Sequence, residues 1–181
     1  MIWFRHTDPR YPFLWEGDEQ PPARWHGAGE GPAHYLADTP DGAWAEFLRH
    51  EEIQSADDLA GVRRAIWAIE VDDTEIEALP RLRPSPTRPL LGGQASYPAC
   101  RALARRLRNR GHRGLRARTA ALLPGGAHGW RVDAGLEAGP VRQGWTLVLF
   151  GRRPDLVGWS AAHEGRPDAR VLPLVRPFGE D

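Results

Sequence analysis

From Asp8 to Pro32 the chain sets Pro9, Pro12, Gly17, Pro21, Pro22, Gly27, Gly29, Gly31 and Pro32 in close succession, which rules out regular helix or strand until about Ala33. A loop of that length in a small protein is either disordered or functional. Tyr11, Phe13, Trp15 and Trp25 are embedded in it, and rings of that size favour an ordered loop packed on the protein body. The loop therefore reads as one wall of a site. It joins "IWFRH", rich in strand formers, to "AHYLA", a second strand.

The segment "DTPDGAWAEFLRHEE" begins a helix with Asp38 or Thr39 as its cap and Pro40 in the first turn, where a missing N–H costs nothing. Glu46 then lies mid-helix. "RAIWAIEV" has the apolar run of a buried strand, whereas the proline-rich stretch from Asp72 to Gly93 reads as a loop with at most one short turn of helix. In "ASYPACRALARRLRNRG" Cys100, Leu103, Ala104 and Leu107 share one face and arginines the other, with Gly111 in the position of a helix C-cap. "GLRART", "GWTLVLFG" and "ARVLPLV" follow as strands, and Trp130, Trp145 and Trp159 are expected to pack inward. The reading is α+β, a single compact domain over residues 1–181 with a mixed β-sheet and flanking helices. That length is enough to bury a core of its own.

Composition removes several functions. Acidic and basic residues balance at 24 each, so no net field draws nucleic acid or an anionic membrane. The arginine-bearing helix face (Arg101, Arg105, Arg106, Arg108, Arg110) lacks interleaved stacking aromatics and reads as solvated rather than as a nucleic-acid surface. There is no lysine, hence no phosphate loop ending in Gly-Lys-Ser or Gly-Lys-Thr, and no G-x-G-x-x-G. The seven histidines form no helical H-x-x-x-H pair and Cys100 is alone, so no metal site is expected. Ser160 and His163 lie close in "GWSAAHEG" but outside a nucleophile elbow. The lone cysteine, the absence of a leader-like N-terminus and the absence of a long apolar run point to a cytoplasmic, membrane-free protein.

Arg24, Tyr35 and Glu46 remain, spaced by eleven residues each. Physics alone leaves them either as an ordinary surface cation, strand tyrosine and helix acid or as three converging site residues. Their context adds more. Arg5 after the first strand, then "ARW", a Gly/Pro loop, "YLA" and "WAEFL" resemble the RES domain, a family named for recurring Arg, Glu and Ser. Its early arginine, "G-x-R-W", "YxA" and "A-x-x-E" elements are matched by Arg5, by Arg24 with Trp25, by Tyr35 with Ala37, and by Glu46. The likeness is densest over residues 1–53 and looser downstream, where "ARTA" puts Thr119 at the place of the family serine. Threonine keeps the hydroxyl but adds a methyl and stiffens the torsion.

The resemblance implies a toxin of a bacterial toxin–antitoxin pair with an ADP-ribosyltransferase-like fold. It would consume NAD as its substrate, without a metal, and be held inactive by an Xre-type antitoxin; the oligomeric state, a homodimer included, stays open. In such an enzyme Arg5 and Arg24 suit the pyrophosphate, since a planar guanidinium grips two oxygens at once. Trp25 and Tyr35 would complete the NAD-binding wall. Glu46 would stabilise the oxocarbenium-like charge that develops when the nicotinamide–ribose bond breaks. Tyr35 would orient the nicotinamide, and Thr119 would hydrogen-bond a ribose or amide group. Water, phosphate or a protein side chain could be the acceptor, and a weakened domain that only binds its antitoxin is the alternative from another class.

Overall fold

In the computed structural model, which describes residues 1–17, 19–85 and 90–177, strand β1 (Ile2–Thr7) runs antiparallel to β3 (Arg64–Glu70) from Ile2 opposite Glu70 to Thr7 opposite Ala65. On its other side β1 meets β2 (Ala33–Ala37) at one registered pair only, Phe4 opposite Ala37. Beyond Phe4 the two strands part, and the sheet is split there. Strand β2 pairs along its whole length with β8 (Trp145–Phe150), β8 with β5 (Gly114–Arg118), and β5 in parallel with the short β4 (Arg81–Leu82). With β9 (Val157–Gly165) on the far edge the order is β4-β5-β8-β2-β1-β3-β9, mixed because of the one parallel pair.

Side-chain alternation sorts the core. Ala33, Tyr35 and Ala37 of β2 face helices α1 (Pro40–His50) and α3 (Tyr97–Asn109), while Leu36 turns to the opposite face with Trp3, Ile69, Leu147 and Leu149. The second face is closed by α2 (Asp73–Ala78) through Ile76. Cys100, Ala104 and Leu107, predicted to share a face, do pack together on Leu115, Ala117 and Val148. Each buried leucine of this kind contributes about 1.5–3 kcal/mol. Thr39 caps α1, its Oγ1 accepting from Gly42 N at 2.9 Å, and Gly111 follows α3 at φ +82°. Asp38 instead accepts from Trp145 N at 3.0 Å, tying the start of α1 to β8.

Several expectations change. "ARVLPLV" is not a strand: Ala169–Leu174 forms a short 3-10 helix, capped by the Asp168 carboxylate and containing Pro173, which has no N–H to give a ladder. The stretch read as loop holds the six-residue α2 and β4, and its residues 86–89 lie outside the described residues. A hairpin of β6 (Trp130–Val132) and β7 (Leu136–Ala138) was not foreseen, nor was β9. Trp130 and Trp159 are 37% and 51% exposed rather than core residues, because both stand on these outlying strands. No described helix is long and apolar enough to cross a membrane.

Candidate active site

Where β1 and β2 diverge, a cleft of about 690 Å³ opens, within the range of roughly 300–1,000 Å³ common for small-molecule sites. Its walls are the first residues beyond the split (Arg5 to Asp8), Tyr35 and Leu36 of β2, Glu46 and Arg49 of α1, and the long loop. The structure thus brings Arg5, Arg24, Trp25, Tyr35 and Glu46 to one cavity.

Glu46 accepts from Thr119 Oγ1 at 3.2 Å and from Thr146 Oγ1 at 3.4 Å, both hydroxyls being buried. Two threonines therefore fix one carboxylate oxygen. Thr119 also accepts from Ala121 N at 3.1 Å, so its hydroxyl proton is committed to Glu46. It stands behind Glu46, on a smaller cavity of about 190 Å³, instead of on the main cleft wall. Its extra methyl is accommodated by Gly144, where an added Cβ would fall 2.6 Å from Thr119 Cγ2.

Arg5 differs from Arg24 in what it has left to give. Its Nη1 is buried without a hydrogen-bond partner, and burial pulls the guanidinium down to about 10, opposed in part by Tyr35. It remains a cation at neutral pH. Arg24 is occupied by the protein: Nη1 donates to Leu90 O and Ser96 Oγ, both at 2.9 Å, and Nη2 to Gly92 O at 2.8 Å, while the group lies over the Tyr97 ring at 4.7 Å. It clamps the turn before α3. Trp25 is 2% exposed and belongs to the core as much as to the cleft.

Tyr35 anchors the loop as well as lining the cavity. Trp25 N donates to its hydroxyl at 2.9 Å. His26 Nε2 lies 2.8 Å from Pro21 O, a pure acceptor, so Nε2 carries the proton and Nδ1 accepts from the Tyr35 hydroxyl at 3.0 Å. Burial raises Tyr35 well above the usual phenol range and lowers His26, so both stay neutral and the chain of bonds holds its direction. The helix face read as solvated also serves the loop: Arg101 Nε donates to Ala23 O at 2.8 Å, and Arg105 and Arg108 pair with Glu30 at 2.8 and 2.6 Å.

Sequence reasoning missed Thr146, Arg64, His6 and Arg118, all lining the cleft. Arg64 Nη2 donates to His6 Nδ1 at 3.3 Å, and burial, then the charges of Arg64 and Arg5, hold His6 down to about 3. Arg118 lies over the Trp145 ring at 4.1 Å, with Arg81 over the same ring at 4.2 Å. Nothing local marks these residues, since threonine and arginine in a strand are ordinary. Among the described lining residues five arginines face three carboxylates, one of which, Asp8, is already paired with Arg10. The cleft is cationic inside a neutral protein.

The class defined by this arrangement is an α+β protein whose split sheet opens an arginine-rich cleft around a hydroxyl-held carboxylate. The chain belongs to the RES domain family, whose model matches residues 2–169. In fold it is similar to a chain of the crystal structure of the M. tuberculosis MbcT-MbcA toxin-antitoxin complex, at a TM-score of 0.53 and 16% identity, covering 87% of this chain and 83% of that one. No curated protein sequence matches it.

Proposed function

We propose that this protein is an NAD-consuming, toxin-like enzyme that breaks the nicotinamide–ribose bond. The observation that carries the reading is the pairing, in one cleft, of a carboxylate fixed by Thr119 and Thr146 with an Arg5 guanidinium that has a buried, unpartnered Nη1. Such a donor suits a pyrophosphate oxygen, and Glu46 suits the developing positive charge. In the step itself the C–N bonding pair leaves with the ring nitrogen, neutralising the pyridinium, and the anomeric carbon becomes oxocarbenium-like. Glu46 stabilises that carbon, Arg5 holds the diphosphate, and Tyr35 positions the nicotinamide end. Thr119 acts here as the positioning residue for Glu46, a task that needs only its hydroxyl. Arg24 contributes by holding the loop that closes the cleft.

Water, phosphate or a protein side chain then attacks the same carbon, giving hydrolysis, phosphorolysis or ADP-ribosylation. We extend the proposal to an Xre-type antitoxin as partner, supported by the family and by a structural neighbour solved as a toxin-antitoxin complex. The test is free nicotinamide from purified protein and NAD, with and without phosphate. Glu46→Gln should lower the rate by about 10²–10³, the usual loss for one charge-stabilising group. Thr119→Ser should retain most of it. No nicotinamide from the wild-type protein under any acceptor would refute the reading.

A further inference from the structure

The long loop sends its aromatic residues two ways. Phe13 packs on Trp67 at 5.3 Å between ring centroids and Trp25 enters the core. Tyr11 and Trp15 do not follow: they are 49% and 48% exposed, and both line the cleft on the loop that leaves β1 beyond Asp8. Their rings meet edge to face, 5.7 Å apart at 89°, so together they make two perpendicular apolar walls. Pro12 lines the cleft between them in sequence.

The pair is held in place before any ligand arrives. Tyr11 N donates to Asp8 O at 3.0 Å, closing a turn, and the Asp8 carboxylate accepts from Arg10 N, Nε and Nη2 at 3.0, 3.0 and 2.8 Å. Arg10 in turn lies over the Tyr11 ring at 5.7 Å. At Gly17 an added Cβ would fall 2.7 Å from Trp15 Nε1, so the glycine lets the indole lie against the backbone. Two half-exposed rings lining a cationic cleft match a flat, uncharged heteroaromatic group linked through a sugar to a phosphate. Stacking of a base on such a ring is commonly worth about a tenfold change in affinity or more.

We propose that Tyr11 and Trp15 form the adenine subsite, gripping the end of the dinucleotide farthest from the bond that breaks. This rests on the NAD reading above and adds which residues select an adenine dinucleotide over a mononucleotide. Arg5, which lines the same cleft as both groups, would then hold the diphosphate that joins the two ends.

Calorimetric titration of the folded protein with ADP-ribose and with nicotinamide mononucleotide tests it, because only the first carries adenine. Tyr11→Ala and Trp15→Ala should each weaken ADP-ribose binding about tenfold and leave the mononucleotide within about twofold. Tyr11→Phe, which keeps the ring, should bind as the wild type does. Unchanged ADP-ribose affinity in both alanine variants overturns the subsite while leaving the NAD reading intact. If neither compound binds the wild-type protein, both readings are overturned. Equal weakening of the two compounds also overturns it, since the rings would then shape the cleft as a whole.

Discussion

Gly144→Ala tests whether Thr119 is held in place by the residue it lacks room to share space with. The backbone at 144 is not in the left-handed region, so alanine is allowed there and would by itself stabilise by about 0.4–1 kcal/mol. Its methyl, however, would sit 2.6 Å from Thr119 Cγ2 and 3.2 Å from Leu122 Cδ1, where about 3.5–4.0 Å is needed. Thr119 must retreat by roughly 1 Å, which stretches its 3.2 Å hydrogen bond to Glu46 past the useful limit. Overpacking of this kind costs about 1–3 kcal/mol, so the net loss should be about 1–2 kcal/mol, a fall in Tm of about 2–8 °C at this size. Thr119→Ser removes the offending methyl. Alone it should cost about 0.5–1.5 kcal/mol for the small void, yet in the Gly144→Ala background it should recover about 1 kcal/mol or more, since the methyls then fit. Denaturant midpoints of the four proteins give the coupling, and, under the proposed NAD reading, nicotinamide release reports whether Glu46 has been returned to position. Additive stabilities within about 0.3 kcal/mol would refute the packing argument. Coupled stability without recovery of nicotinamide release would refute the link from Thr119 to Glu46.

Two further predictions concern buried charge. His34 and His6 are held neutral by burial, at about 4 and about 3 against an unfolded value near 6.5, so the unfolded chain takes up protons first as pH falls. Stability is full above about pH 6.5 and drains away toward pH 4 and below. His34→Gln should flatten the 6.5-to-4 part of the urea-midpoint profile, by on the order of 3 kcal/mol at its lower end, whereas an unchanged slope would assign it elsewhere. Arg24→Lys keeps the charge but cannot reach Leu90 O, Gly92 O and Ser96 Oγ together. It should lose about 2–4 kcal/mol in thermal or urea melts, and a melt like the wild type's would return Arg24 to the role of a free phosphate clamp.

The elements that face the core were legible, and those that do not were not. The strands "IWFRH", "AHYLA" and "GWTLVLFG" announce themselves because burial demands apolar side chains at a fixed period. Strand β9 is an edge strand with mostly exposed side chains, and β6 and β7 are exposed throughout, so neither carries that imprint. Trp159 and Trp130 misled for the same reason: a tryptophan states that area is worth burying, not where. At the site, Arg24, Tyr35 and Glu46 were visible as a family pattern, and the structure brings them to one cleft. That Arg24 spends its donors on carbonyls around residues 90–92 could not be read locally, since those partners lie more than sixty positions away. Thr146 reaches the cleft only through the register of β8 on β2, and Arg64 only through the place of β3 beside β1, neither of which a local reading supplies.

The single Phe4–Ala37 pairing divides the sheet into two leaves, β4-β5-β8-β2 and β1-β3-β9, fastened along their shared seam at one point. Arg5 belongs to one leaf, Tyr35 and Thr146 to the other. A molecule that bonds to both acts as a rivet through that seam, and its binding energy is then also cohesion of the sheet. Amide exchange should therefore slow on both sides of the seam when the cleft fills, and a partner protein able to prise the leaves apart would separate Arg5 from Tyr35 and Thr146 without contacting any of them.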